Sequence, residues 1–123
     1  ITYLPDERGR METKVAELVA PLNPSLFLPC DVQNEAQIQS TFEAIASKWD
    51  KLDILIHCLA FANKDDLSGD ISQTSRSGYG KALDISSYSL LQLSGAAKPL
   101  MTAGGSIVTL TYLGGVRVIP NYN

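Results

Sequence analysis

Several residue types are scarce in this chain, and each shortage removes a class of function. Its 123 residues hold two cysteines and one histidine. Cys30 and Cys58 sit at the ends of apolar runs, form no C-x-x-C, and with a single histidine cannot build a familiar zinc constellation. They read as two buried, reduced thiols of an intracellular protein. Of nine glycines, none stands in a G-x-G-x-x-G or P-loop pattern, so the chain carries no recognisable phosphate cradle. Basic residues number 10 against 13 acidic, a net charge of -3, and no Lys/Arg-rich run offsets that balance. A basic nucleic-acid footprint is therefore excluded. No apolar stretch approaches the roughly 20 residues of a membrane-spanning helix, so no membrane insertion is expected. The first residue is isoleucine rather than methionine, and no basic region followed by an apolar targeting core opens the chain. The natural beginning is expected to lie upstream of Ile1.

What is present describes an ordinary globular core, with 45% apolar and 19% charged residues, and a length that fits at most one domain. Ile1 to Leu4 is a short β-prone start, and Pro5 to Arg10 is turn-like. Met11, Val15, Leu18 and Val19 recur at helical spacing, predicting a helix over Met11 to Ala20 that Pro21, Asn23 and Pro24 break. Leu26 to Leu28 reads as a strand. Asn34 is a candidate cap for a second helix, with Glu35 in its first turn and Ile38, Phe42, Ile45 and Trp49 on its apolar face. Leu52 to Leu59 is a nearly continuous apolar run suited to an inner parallel strand. Asn63 to Ser77 reads as a surface loop, Gly78 to about Met101 as a helix, and Ser106 to Thr111 as the last strand. The order β-α-β-α-β-α-β predicts an α/β fold, a parallel sheet with helices on both faces.

In open parallel sheets, ligands gather outside the carboxyl ends of the strands. Four segments follow such ends: Leu4 to Asp6, Asp31-Val32, Leu59 to Asn63, and Thr111 to Gly115. Asp31 offers a carboxylate to an adenine amino group while Val32 covers the ring face; equally, Asp31 caps the following turn. Leu59-Ala60-Phe61-Ala62 is small and apolar, which lets a flat ligand lie close to the backbone, or simply ends a buried strand. His57 fits a satisfied core histidine and takes no role. Tyr112 and Tyr122 carry phenols, a group that can donate to a developing oxyanion without prior ionisation, or they merely rim the core. Arg117 is near them in sequence.

The segments L-N-P-S-L-F-L-P-C-D-V, D-I-L-I-H-C-L-A-F-A, D-I-S-S-Y-S and S-I-V-T-L-T-Y-L-G-G-V-R-V-I-P-N-Y-N closely resemble the NADH-dependent enoyl-(acyl-carrier-protein) reductases of bacterial and plastid fatty-acid synthesis. That family is a divergent branch of the short-chain dehydrogenases/reductases, and the resemblance runs along essentially the whole chain. It implies a doubly wound Rossmann-type sheet, and a homotetramer for the complete protein. It implies reduction of the trans-2 double bond of an enoyl thioester carried on acyl-carrier protein, in bacterial cytoplasm or plastid stroma. Tyr122 matches the family tyrosine that hydrogen-bonds the thioester oxygen and stabilises the enolate, and Tyr112 the second active-site tyrosine. Asp31 and Val32 match the adenine-binding pair, and Leu59 and Ala60 the backbone lining adenosine and ribose. Ala62 matches a substrate contact, and Leu4 the strand end that approaches the adenosine.

The family pattern also places a first strand with a glycine-rich loop before Ile1, and an active-site lysine beyond Asn123. Residues 1–123 are therefore expected to be part of one Rossmann-type domain, truncated at both ends, nearly inactive and marginally stable as an isolated polypeptide. Two alternatives stay open on the residues. One is a short-chain dehydrogenase acting on a carbonyl or hydroxyl, which usually carries a serine on the strand before the tyrosine, where this chain has Thr109 and Thr111. The other is a non-catalytic Rossmann binding module.

Overall fold

The computed structural model describes residues 1–120 and 122; Asn121 and Asn123, in the P-N-Y-N end of the last motif, lie outside the described residues. Its strands are β1 (Thr2–Tyr3), β2 (Leu28–Pro29), β3 (Ile54–His57) and β4 (Ser106–Thr109). Its α-helices are α1 (Arg10–Val19), α2 (Glu35–Lys48), α3 (Arg76–Leu83) and α4 (Ser89–Ala97), with short 3-10 turns between elements. A π turn, Asp84–Tyr88, joins α3 directly to α4.

All pairings are parallel, as the alternation of strand and helix requires. Among the described residues the truncated parallel arrangement consists of two ladders, β1 with β2 and β3 with β4. The strands are shorter than their apolar runs. In the first ladder Leu28 N–H donates to Ile1 and Cys30 N–H to Tyr3. Pro29, between them, turns its donorless nitrogen to the opposite edge, which is why proline is tolerated there. Tyr3 and Phe27 stack at 4.6 Å beside this pair.

In the second ladder Ile54 to His57 lie opposite Ser106 to Thr109 in register. Gly105 leads into β4 where a Cβ would stand 2.9 Å from the Asp53 carbonyl oxygen. Only glycine lets the two backbones approach this closely while Ser106 N–H donates to that same oxygen at 2.9 Å.

The second helix starts as its sequence predicts. Asn34 Oδ1 accepts from Gln37 N–H at 3.2 Å, a cap worth about 1 kcal/mol. Glu35 in the first turn and Lys48 in the last suit the helix dipole. Ile38 and Phe42 are buried against Leu93 and Ala97 of α4, with Cys30 completing the core and Val32, Ile45, Leu55 and Leu100 packed around it. Trp49 departs from the periodic expectation. As the C-cap it has extended backbone (φ -135) and leaves the apolar face, with its ring exposed. Cys58 also departs: it is exposed just beyond β3, while Cys30 is buried. Burial pushes the Cys30 thiol up, so it stays protonated at neutral pH.

The apolar faces of β3 and β4 are only partly covered. Ile54, Ile56, Ile107 and Val108 are all exposed, Ile56 by 65%. Residues 1–123 expressed alone are therefore expected to bind a hydrophobic dye and to melt over a broad range. A sharp cooperative transition at high temperature with no dye binding would contradict this.

Candidate active site at the strand ends

The two tyrosines separated by nine residues in sequence meet in space. The rings of Tyr112 and Tyr122 lie 5.4 Å apart at an angle of 51°, a tilted aromatic contact of favourable geometry. The turn that brings them together begins as a 3-10 turn, Leu113–Gly115. Arg117 N–H reaches back to Leu113 O at 3.0 Å, and Tyr122 N–H donates to Ile119 O at 3.2 Å. Gly114 is essential to the packing, since a Cβ there would lie 2.9 Å from Tyr112 Cδ1. Tyr112 is 56% exposed and Tyr122 50%, so both phenols are open to a ligand rather than buried as core supports.

Among the described residues, His57 is the best-buried large side chain, 1% exposed. Its Nε2 lies 2.8 Å from Ser89 Oγ, and its Nδ1 3.1 Å from Thr109 Oγ1. Ser89 Oγ sits 2.6 Å from Ile85 O, to which it donates. Its proton thus spent, Ser89 accepts from His57 Nε2–H, and Thr109 donates to Nδ1. Thr109 Oγ1 is committed to this buried chain. His57 is the satisfied core histidine its sequence context suggests.

The segment after β3 is pinned from the π turn. Ser86 Oγ accepts from Phe61 N–H at 3.0 Å and lies 3.2 Å from Phe61 O. The Phe61 ring receives Lys81 Nζ over its face at 4.8 Å. Leu59 and Ala60 precede this clamp and are exposed, while Ala62 follows it, half-buried. Ala62 opens onto a cleft of about 650 Å³ lined also by Leu67, Ile71, Tyr79 and Ala82.

Asp31 fills the turn-capping role left open by the sequence: its Oδ1 accepts from Gln33 N–H at 2.9 Å and its carbonyl from Asn34 N–H at 2.9 Å. Among the described residues its second oxygen keeps its lone pairs, so capping does not preclude a ligand contact. Val32 beside it is half-buried against the core. Leu4 stands exposed just past β1. No hydrogen bond among the described residues joins the tyrosine pair to the π turn. The residues that sequence reasoning left without a role are Asp84, Ser86 and Ser89. Their motif, D-I-S-S-Y-S, was visible, but no periodicity announces a π turn.

Asp66, on the cleft wall, accepts from Ser75 N–H at 2.8 Å and from Asn63 Nδ2 at 3.0 Å. These bonds, the Ser75 N–H first, hold its carboxyl below its ordinary value of 3.8. A depressed folded value stabilises the fold above the unfolded value, and that contribution is lost as pH falls through the lower folded one.

An α/β layer of parallel strands whose carboxyl ends carry the chemistry-bearing side chains is the Rossmann-type architecture. The comparisons narrow that class. The profile of the family described as enoyl-(acyl carrier protein) reductase matches residues 1–123. Enoyl-(acyl-carrier-protein) reductase (NADH) FabI of Nostoc sp. is 76% identical over 123 residues, covering 100% of this chain and 48% of that protein. The Bacillus subtilis protein of the same name is 51% identical over 116 residues, covering 93% of this chain and 45% of its own. Among solved structures, the Anaplasma phagocytophilum reductase in complex with NAD superposes with a TM-score of 0.88 at 37% identity, covering 97% of this chain and 45% of that one. The Aquifex aeolicus enzyme gives a TM-score of 0.89 at 36% identity, over 97% of this chain and 46% of its own. The chain belongs to the enoyl-(acyl carrier protein) reductase family. It spans about half the length of the curated relatives it matches.

Two outcomes test the local geometry in the full-length protein, at the length of those relatives. Gly114→Ala is expected to displace the Tyr112 ring and lower turnover at least tenfold, with a melting temperature close to the parent's; unchanged kinetics would show the contact to be unimportant. The melting-temperature gap between the parent and Asp66→Asn is expected to close as pH falls from 5 toward 2.5, and a constant gap would contradict the assignment.

Proposed function

We propose that the full-length protein is an enoyl-(acyl-carrier-protein) reductase of fatty-acid biosynthesis. It would reduce the trans-2 double bond of an enoyl thioester on acyl-carrier protein with NADH. The observation that carries this reading is the open tyrosine pair just beyond β4, in a chain 76% identical to a named reductase of that class.

The residues present suit the adenosine side of the cofactor. Asp31 has a carboxylate oxygen to spare for an exocyclic amine, Val32 supplies apolar surface, and exposed Leu59 and Ala60 offer close approach to the backbone. Leu4, exposed past β1, completes that group. When bound, NADH supplies the hydride that adds to the β-carbon of the enoyl group. The chain's own part is electrostatic. Tyr122 donates a hydrogen bond to the thioester oxygen as negative charge grows there, and Tyr112 positions the acyl thioester beside it. Ala62 contributes a small wall on the cleft side, where the acyl chain would pass. Residues 1–123 then form part of a single Rossmann-type domain.

The complete protein is proposed to be a homotetramer working in the bacterial cytoplasm, or in plastid stroma. Leu83, Tyr88 and Leu91, the last 68% exposed, give the α3–α4 unit apolar surface for a neighbouring subunit to cover. Among the described residues no helix is long and apolar enough to cross a membrane.

NADH oxidation with a crotonyl thioester tests the reading directly. The full-length protein is expected to turn over, and Tyr122→Phe to lower kcat by about a hundredfold, the usual cost of one oxyanion donor. Absence of turnover, or a Tyr122→Phe variant as active as the parent, would overturn it.

A further inference from the structure

The π turn interrupts the helical segment between α3 and α4, and three of its side-chain contacts lead to the loops at the strand ends. Its register places Ser89 N–H on Asp84 O, five residues back, rather than on Ile85 O. Ser89 Oγ donates to Ile85 O at 2.6 Å and accepts from buried His57. The slip in register is thus locked to β3 through His57 and to β4 through Thr109. Such single-turn widenings gather at functional positions because they re-aim side chains that a regular helix would place elsewhere.

The re-aimed groups hold two separate loops. Asp84 Oδ2 accepts from Gln33 Nε2 at 2.8 Å, and Gln33 N–H is the donor that occupies Asp31 Oδ1. Ser86 holds the backbone of Phe61 from both its N–H and its carbonyl. One five-residue turn therefore grips the loop after β2 and the loop after β3. These strands belong to different ladders, which no backbone pairing joins among the described residues. Among the described residues, the side chains of Asp84 and Ser86 thus tie the Asp31-Val32 and Leu59-Ala60 loops to one turn.

We infer that the π turn Asp84–Tyr88 braces the two loops that hold the adenosine side of the cofactor. Asp84 and Ser86 are its positioning residues. This rests on the functional reading above, since it assigns the loops their ligand. Neither residue touches the reacting atoms, so their loss should weaken cofactor binding and leave the chemical step in place.

The test uses Gln33→Ala, Ser86→Ala and Asp84→Asn in the full-length protein, with thermal melting as a folding control. Gln33 is exposed, so its truncation breaks the Asp84 tether without disturbing the core. Gln33→Ala and Ser86→Ala are each expected to raise KM for NADH and its dissociation constant about fivefold to tenfold, with kcat within twofold of the parent. Asp84→Asn keeps an acceptor oxygen for Gln33 and is expected to stay within twofold in both. Folded Gln33→Ala and Ser86→Ala variants with unmoved NADH affinity would overturn the inference while parental turnover leaves the functional reading standing. A loss confined to kcat would overturn it equally. A parent unable to oxidise NADH with the crotonyl thioester would overturn the functional reading, and this inference with it.

Discussion

The buried chain Thr109–His57–Ser89–Ile85 is the constraint on which the rest depends. One imidazole, almost wholly removed from water, satisfies both ring nitrogens on hydroxyls from different elements. Leaving either nitrogen unpaired at that depth would cost on the order of 1–3 kcal/mol, so the elements are held to one mutual arrangement. The β3–β4 ladder beneath is only four residues long on each strand. The imidazole adds a third attachment, from the sheet to the helix above it. Its partner Ser89 in turn donates to the Ile85 carbonyl.

From that anchor the site divides into two halves built by different means. The tyrosine half is backbone work: a tight turn with no side chain at Gly114 folds the chain beyond β4 back on itself until two rings touch. The adenosine half is side-chain work, with carboxylate, amide and hydroxyl groups linking the loops after β2 and β3. The first arrangement is rigid by steric necessity. The second can be tuned one hydrogen bond at a time.

Much of this was legible beforehand, and the limits have physical causes. The caps and apolar stripe of α2 were readable because Asn34 and the Ile38–Phe42 spacing act locally. Parallel pairing followed from the alternation of strands and helices. The β1–β2 and β3–β4 ladders are the part of that parallel arrangement that the described residues hold. Trp49 and Cys58 misled because periodicity and apolar company predict burial only while the element continues, and both lie just past an element's end. The tyrosines could be named but not paired, since their meeting depends on a turn whose shape is set by a steric clash avoided at Gly114. The D-I-S-S-Y-S motif carried its resemblance openly, whereas its part in the site emerges only from a hydrogen-bond register slipped by one residue.

Pro29 bears on how the molecule meets its neighbours. A strand is a template for another strand wherever its outer edge offers donors and acceptors in alternation. Along β2 the residues facing β1 keep their amides, while the nitrogen turned outward belongs to proline. An incoming strand on that side would find the alternation interrupted at its centre. The imino acid that shortens β2 also acts as a gatekeeper, denying that margin to runaway sheet growth.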